Sequence, residues 1–98
     1  MQNLPTISGY GKYASDNYGV NCLRVDLGAM TLWFSYNTVV AFRSDGARPV
    51  CENQWGPTTG KHLNWIDGGD KDAKKRRLPR DTFEAALAGA LADHGLAE

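Results

Sequence analysis

The sequence predicts an α+β fold, in which an antiparallel β-meander of four to five strands is packed by one C-terminal α-helix. Two observations support this prediction. Between residues 21 and 53, apolar and polar residues alternate in runs separated by turn-forming pairs, a period of two that is typical of half-buried strands. A helical repeat follows at residues 81–94. Because an antiparallel sheet usually has one solvated face, a single amphipathic helix would cover the other.

Chain length and charge limit the possibilities. A chain of 98 residues forms one domain with one core. Eleven basic and eleven acidic residues cancel, so no overall field attracts the protein to nucleic acid or to an anionic membrane. The predicted parts of this domain, residues 1–98, are a loop or edge strand at 1–20, the β-meander at 21–53, an irregular aromatic and basic segment at 54–80 and the helix at 81–94.

Turn-forming residues define the strands of the meander. Within residues 1–20, only residues 6–10 suggest a strand, which would lie at the edge of the sheet. Gly28-Ala29 predicts a type II′ turn and Asp45-Gly46 a type I′ turn, because glycine readily adopts the positive φ angles that these turns need. The four runs of the meander are residues 21–27, 30–36, 39–43 and 47–53, and Asn37-Thr38 separates the second from the third.

The predicted C-terminal helix begins at Asp81 as the N-cap residue, with Glu84 completing a capping box, and it stops at Gly95. Its apolar face should cover one face of the first two long strands. The residues on that face are Leu23, Val25, Leu27, Met30, Leu32 and Phe34.

The three tryptophans have different expected environments. Trp33 alternates with the residues beneath the helix and therefore projects from the opposite face, either as an exposed binding aromatic or as part of a dimer contact. Trp65 stands beside Ile66 and is expected in the core. Trp55 is expected to be partly exposed.

Residues 55–67 contain two tryptophans, a Lys-His pair and two glycines. An irregular segment of this composition between regular elements is where binding residues tend to lie. We predict a loop that enters a short helical turn, with Thr58 or Thr59 as its N-cap and with Lys61 and His62 displayed around it.

Catalytic and metal-binding interpretations of this segment are weaker. The string at residues 56–62 differs from a P-loop, because only three residues separate its glycines and His62 replaces the residue that would hold magnesium. The histidines and cysteines lack the spacings of zinc sites. As a general base, His62 would need a nucleophile and an orienting acid, for which Ser35, Thr59 and Asp67 are candidates by residue type alone. The sequence therefore predicts no enzyme, no metal site and no cofactor.

Six cations within residues 71–80 form the strongest electrostatic candidate. They could contact phosphates while nearby aromatic side chains stack on bases. Alternatively, this is a solvated loop whose charge is balanced by the aspartates at positions 67, 70, 72 and 81. The predicted binding residues, for protein or nucleic acid, are Trp55, Thr59, Lys61, His62, Asn64, Lys74, Lys75, Arg76, Arg77 and Arg80.

Cys22 and Cys51 are predicted to be buried free thiols, although neighbouring strands would also permit a disulfide. The N-terminal residues lack the cationic flank and apolar core of a signal peptide, and no window approaches the roughly 18 apolar residues of a membrane span. We therefore expect a soluble, cytoplasmic protein without a membrane partner.

Several strings together resemble a known group of proteins. They are DNYG at residues 16–19, FSYNTVVAF at 34–42, ENQWGPTTGKHLN at 52–64 and the Phe83-Glu84 start of the last helix. They are similar to small uncharacterised proteins of bacteriophages and other mobile elements, from about residue 16 to residue 91, and TTGKHLN is the most specific string. The group has no assigned activity, so the resemblance implies no catalytic residues. It implies a phage-borne accessory protein that blocks a host defence or handles phage nucleic acid.

Three functional hypotheses follow. The first is a non-enzymatic accessory protein that occupies the surface of a host protein or ribonucleoprotein complex, most concretely an anti-CRISPR-like inhibitor of a CRISPR effector. The second is direct nucleic-acid binding by the cations at residues 71–80. The third is a small enzyme that uses His62. A homodimer is a further possible assembly.

Overall fold

A computed structural model describes residues 6–10 and 22–95. Within these residues the elements are β1 (Thr6–Gly9), β2 (Cys22–Asp26), β3 (Met30–Ser35), β4 (Thr38–Ser44), α1 (Pro57–Asp67), α2 (Lys71–Arg76) and α3 (Arg80–Asp93). The predicted α+β class is confirmed. The prediction of one helix is wrong, because two further helices lie in the segment expected to be irregular. The expected loop at residues 11–20, with the DNYG string, lies outside the described residues.

The sheet has the order β1-β2-β3-β4, and each strand is antiparallel to its neighbour. The edge strand expected near residues 6–10 is β1. The predicted turns also form, since Gly28 has a φ of 87°, and Asp45 and Gly46 have φ angles of 53° and 82°. Local turn chemistry therefore sets the register of the β2–β3 hairpin and the chain reversal after β4.

Residues 47–53, predicted as a strand, run beside β4 through isolated bridges only. Pro49 lies within this run and has no N–H group to donate, which interrupts the ladder. Its carbonyl still accepts the N–H group of Phe42 at 3.1 Å. On the other side of the run, Cys51 forms a parallel bridge with Leu78.

Helix α1 is the main element that the sequence prediction missed. It begins at Pro57 with Gly56 as its N-cap residue, so Thr58 and Thr59 lie inside the helix and neither is the cap. Proline suits the first helical position, where an N–H group would have no helical partner. The helix ends at Gly68, whose φ of 88° lies in the left-handed region that favours glycine. The buried residues of α1 are Thr59, His62, Leu63 and Ile66, at helical spacing.

Helix α3 begins at Arg80, one residue before the predicted N-cap Asp81. Pro79 occupies the cap position instead, and proline has no side-chain oxygen that could cap. Glu84 does not form a capping box, because its carboxylate pairs with Arg80 at 2.9 Å. The predicted stop is close to the observed one, since Gly95, with a φ of 70°, follows the end of the helix at Asp93.

Helices cover both faces of the sheet. On one face, Phe83 of α3 packs against Met30 and Phe42. Of the six residues predicted beneath this helix, only Met30 and Leu32 belong to its cluster; the others are partly buried outside it and are Leu23, Val25, Leu27 and Phe34. On the other face, Leu63 of α1 packs in a cluster with Trp33. Because α1 covers this second face, Trp33 is only 9% exposed, and the expectation of an exposed binding aromatic or dimer contact is wrong.

The other two tryptophans lie at the surface. Trp55 is 36% exposed, as expected. Trp65 is 48% exposed, so its predicted place in the core is wrong. The reason is helical geometry, because Trp65 falls outside the buried stripe of α1 that its neighbour Ile66 belongs to.

A β-bulge lies between β3 and β4. Trp33 pairs with Ala41 and Phe34 with Val39, which leaves Val40 as the extra residue. Val40 and Ala41 are both fully buried as a result. The bulge therefore bends the end of the sheet where α1 begins.

Cys22 and Cys51 are buried free thiols, as predicted. No helix in the described part of the chain is long and apolar enough to cross a membrane.

Candidate functional site

A cavity of about 310 Å³ lies between the end of the sheet and the first turn of α1. Ser35, Tyr36 and Thr38 line one wall, and residues 55–59 line the other. This volume is at the lower end of the range for small-ligand sites. Two parts of the chain that are about twenty residues apart therefore create the recess.

The turn between β3 and β4 shapes the first wall. It consists of Tyr36 and Asn37, because Ser35 pairs with Thr38; the sequence had suggested a turn one residue later. Tyr36 has a φ of 56°, a left-handed conformation that is uncommon for a residue other than glycine. Its side chain is 48% exposed. Backbone strain of this kind is often found at functional sites.

Trp55 forms the rim of the second wall and is held from two sides. The Asn53 side-chain oxygen accepts the N–H groups of Trp55 at 3.0 Å and Gly56 at 3.2 Å. The Asn53 side-chain amide donates to the Gly56 carbonyl at 2.9 Å. Arg80 places its guanidinium carbon 5.1 Å from the centre of the Trp55 ring, within cation–π range. Trp55 is therefore fixed in orientation and open to solvent.

Ser35 and Thr59 also belong to a buried hydrogen-bond network. The Ser35 Oγ atom lies 2.7 Å from His62 Nδ1 and 2.9 Å from Thr59 Oγ1. The exposed fractions of Ser35, Thr59 and His62 are 3%, 6% and 0%. This network joins the last residue of β3 to the first two turns of α1.

His62 lies among aromatic rings. The Tyr36 ring centre is 5.8 Å from the imidazole centre, and Tyr10 contacts the imidazole edge-to-face at 6.1 Å. Burial lowers the pKa of His62, because the surroundings disfavour its charged form. The imidazole is therefore neutral at pH 7 and keeps one nitrogen that can accept a proton.

Asp67, the orienting acid suggested by the sequence, lies at the opposite end of α1. Its carboxylate accepts hydrogen bonds from Arg77 Nε at 2.8 Å and Nη2 at 2.9 Å. The Arg77 Nη2 group also donates to Asn64 Oδ1 at 3.1 Å. Two predicted binding residues, Asn64 and Arg77, thus connect α1 to the segment before α3.

Of the remaining cations of the predicted cluster, Arg80 begins α3 and the other four lie on α2, and all of them are exposed. Arg48, from the segment after β4, lines a cavity of about 110 Å³ together with Arg76. Sequence analysis missed Arg48 because it is far from the cluster along the chain. We call Arg48, Lys71, Lys74, Lys75 and Arg76 the α2 patch.

The ten predicted binding residues have different environments. The exposed ones are Trp55, Lys61, Asn64, Lys74, Lys75, Arg76 and Arg80. Thr59 and His62 are buried, and the Arg77 side chain is only 6% exposed. These three side chains are therefore unsuited to a surface contact. Ser35, named by sequence only as a candidate by residue type, lies in direct contact with His62.

Within residues 6–10 and 22–95, no group of three or more His, Cys, Asp or Glu side chains could hold a metal ion.

A family model matches residues 5–85, most of the chain. It describes a family of unknown function, DUF8033. The chain belongs to this family. The DUF8033 match includes the cavity, the buried network and the α2 patch, and it ends within α3. No curated protein and no solved structure matches the chain significantly. The DUF8033 description assigns no activity, so functional arguments depend on the geometry above.

Proposed function

We propose that this protein binds a macromolecular partner through the surface around Trp55 and acts by occupying the surface of that partner. The observation that carries this proposal is an exposed tryptophan held in one orientation. Asn53 fixes the backbone of Trp55, and Arg80 lies over its ring. Tryptophan and arginine are enriched among the residues that dominate binding energy at protein interfaces. An anchor that is already ordered loses less conformational entropy on binding.

The chemistry of the cavity beside Trp55 favours a protein partner. Tyr36 stands at the opposite wall, so a protruding side chain of the partner would enter between two aromatic residues. The residues that line this cavity are all uncharged. The recess offers aromatic contact to an apolar or polar side chain, and no cationic side chain lines it to pair with a phosphate group.

The finer proposal is an accessory protein of a phage or mobile element that acts in the bacterial cytoplasm. Its partner would be a host protein or ribonucleoprotein complex, with a CRISPR effector as the concrete case. The resemblance of the TTGKHLN string supports this proposal, since that string forms the part of α1 next to the cavity. Occlusion of a surface needs no catalytic step and no cofactor.

A pull-down from host lysate tests the proposal. Tagged wild-type protein, Trp55→Ala and Trp65→Ala would be compared with and without nuclease, and bound proteins would be identified by mass spectrometry. Trp65→Ala is the matched control, because Trp65 is also an exposed tryptophan but does not line the cavity. We expect a host defence complex that survives nuclease and is recovered at least tenfold less with Trp55→Ala. Recovery that is equal for both variants, or no such complex, would count against the proposal.

The α2 patch supports direct nucleic-acid binding as a second candidate function. Its specific observation is that the fold adds Arg48 to the cations of α2, which the linear sequence does not suggest. The salt bridges found among the described residues involve none of the five patch cations. Asp67 lines the same cavity as Arg48 and Arg76, but it pairs with Arg77, and cations outside a salt bridge can contact phosphates.

Fluorescence anisotropy with a labelled single-stranded oligonucleotide tests this second candidate. If it is right, affinity falls steeply with salt. The triple variant Lys74→Ala, Lys75→Ala and Arg76→Ala should weaken binding and lower the slope of log K against log salt by about 2 to 3. Arg77 is left unchanged because of its buried ion pair, and Arg24→Ala on β2, which removes one cation outside the patch, is the control for position. Affinity that does not depend on salt would exclude this function.

A further inference from the structure

Two serine–histidine hydrogen bonds occur within the described residues, and they differ in their surroundings. Ser35 Oγ lies 2.7 Å from His62 Nδ1, and Ser44 Oγ lies 2.9 Å from His94 Nε2. Ser35 lines the cavity of about 310 Å³, whereas Ser44 lies beside the turn at the other end of β4 and lines neither cavity described above. The two pairs share the same residue types, but only the Ser35–His62 bond is buried and only Ser35 borders a described cavity.

We propose that Ser35 is a nucleophile with His62 as its general base, and that the cavity accepts a small, uncharged carboxylic ester for hydrolysis. This activity goes beyond partner binding, although it uses the same cavity that a partner side chain would enter. The sequence favoured a protein without catalysis, because Ser35 and His62 are 27 residues apart and nothing in their spacing connects them.

The buried network provides an acceptor for the hydroxyl hydrogen of Ser35. In the tautomer that carries its proton on Nε2, His62 Nδ1 accepts the hydroxyl hydrogen of Ser35. Thr59, 2.9 Å away, then donates its own hydroxyl hydrogen to Ser35 Oγ. Because both bonds are buried, water does not compete for either group. This arrangement is the nucleophile–base contact of covalent catalysis, with Thr59 as a positioning residue.

The first turn of α1 supplies groups that can stabilise negative charge. The hydrogen bond from Gly60 N–H to the Gly56 carbonyl, at 2.9 Å, begins the helical ladder. The backbone N–H groups of Thr58 and Thr59 precede it, and both residues line the cavity. N–H groups in the first turn have no helical acceptor and lie at the positive end of the helix dipole. They can donate to the oxyanion of an acyl-transfer intermediate.

The lining limits the class of substrate. The cavity has room for a small organic molecule. Tyr36 and Trp55 are among the residues that line it, and no charged side chain does. Charged substrates would lose hydration without gaining an ion pair. A short acyl ester with an aromatic or alkyl alcohol fits these conditions.

The reaction balances with water as the only co-substrate. Ser35 Oγ attacks the ester carbonyl carbon while its proton moves to His62 Nδ1, and the carbonyl oxygen takes up the negative charge. Collapse of this intermediate expels the alcohol, which receives the proton from His62. Water then attacks the carbonyl carbon of the acyl-Ser35 ester and gives a proton to His62. Collapse of the second intermediate breaks the bond between that carbon and Ser35 Oγ, which takes the proton from His62, and the carboxylic acid is released.

Covalent labelling of the folded full-length protein tests the proposal. A fluorophosphonate phosphonylates the oxygen of an activated serine and releases fluoride, and peptide mass spectrometry locates the adduct. We expect one adduct, at Ser35, and none at Ser44. Hydrolysis of p-nitrophenyl acetate should be lost in the labelled protein. In unlabelled protein, the rate of Ser35 labelling and the rate of ester hydrolysis should both fall at acid pH, with a midpoint below the ordinary histidine pKa of about 6.5.

Two variants complete the test. His62→Gln should slow labelling by about 100-fold or more, the usual contribution of a general base. Ser44→Ala should leave labelling and hydrolysis unchanged. Labelling of the wild-type protein tests the proposal by itself, so the test remains valid even if a variant fails to fold. Absence of an adduct at Ser35 in folded wild-type protein, or equal labelling of Ser44, would overturn the proposal.

Discussion

The Arg77 guanidinium donates hydrogen bonds of 2.8 and 2.9 Å to the two carboxylate oxygens of Asp67. Both side chains are less than a tenth exposed, at 6% for Arg77 and 8% for Asp67. The pair joins the end of α1 to the segment between α2 and α3. The same helix carries Thr59 and His62 in its first two turns.

Removing one partner of this buried pair should be costly. Arg77→Ala leaves the Asp67 carboxylate buried without its counter-charge, and we expect the free energy of unfolding to fall by about 3 to 5 kcal/mol. Urea denaturation at pH 7 measures this change. Glu84→Ala is the matched control, since it breaks the exposed pair with Arg80 and should cost less than about 1 kcal/mol. Similar losses in both variants would contradict a stabilising role for the buried pair.

Asp67 should also contribute to acid denaturation. Burial alone raises its pKa, but hydrogen bonds from Arg77 and the Gly69 N–H group, with the charge of Arg77, leave the pKa below its ordinary value. A carboxyl with a lowered folded-state pKa stabilises the fold above its unfolded pKa of about 3.9, and this contribution is lost as pH falls through the folded value. In Asp67→Asn, the free energy of unfolding should therefore fall less between pH 5 and pH 2 than in the wild type.

His62 should make stability depend on pH in a higher range. Its pKa is lowered by burial in the folded protein, so the unfolded chain binds a proton more readily. Stability is therefore full above the unfolded pKa of about 6.5 and falls as the pH drops from there toward the folded value. Urea midpoints between pH 7.5 and pH 5 measure the slope. His62→Gln should flatten it, and an unchanged slope in His62→Gln would contradict this assignment.

Substitutions at two glycines distinguish the effect of backbone conformation on stability from the effect of packing. A Cβ atom at Gly46 or at Gly89 would meet no atom within 4 Å, so neither substitution causes a clash. Gly46 has a φ of 82°, and Gly46→Ala should destabilise by about 1 to 2 kcal/mol. Gly89 lies inside α3, and Gly89→Ala should stabilise by about 0.5 to 1 kcal/mol. Thermal unfolding of both variants would show opposite shifts; shifts of the same sign would contradict this explanation.

The two thiols should resist modification in the folded protein. Burial raises the pKa of both cysteines, and that of Cys51 reaches about 11, so little thiolate forms at pH 8. The Cys22 thiol also donates to the Tyr10 carbonyl at 2.6 Å. Ellman's reagent should react slowly with the native protein. In denaturant it should react with two thiols per chain. Fewer than two thiols in denaturant would indicate a disulfide instead.

The parts of the fold that the sequence predicted depend on local rules. The hairpin positions follow from positive φ angles at Gly28 and at Asp45-Gly46, and the face of α3 that carries Phe83 follows from helical spacing. The placement of these residues needs only their immediate neighbours in the chain. Helix α1 was missed because proline, glycine and two adjacent threonines weaken its local helical signal, although its buried stripe has the helical period.

The sequence by itself thus determined the α+β class, the turns at Gly28-Ala29 and Asp45-Gly46, the edge strand and the burial of both cysteines. Tertiary structure decided which tryptophan is buried, because α1 gains stability only by packing on the second face of the sheet, where it covers Trp33 and turns Trp65 to solvent. It also decided the candidate site, since Ser35 and His62 meet only when the end of β3 and the second turn of α1 are brought together. Periodicity and turn chemistry act between near neighbours in the chain, whereas a site is built from distances across the fold.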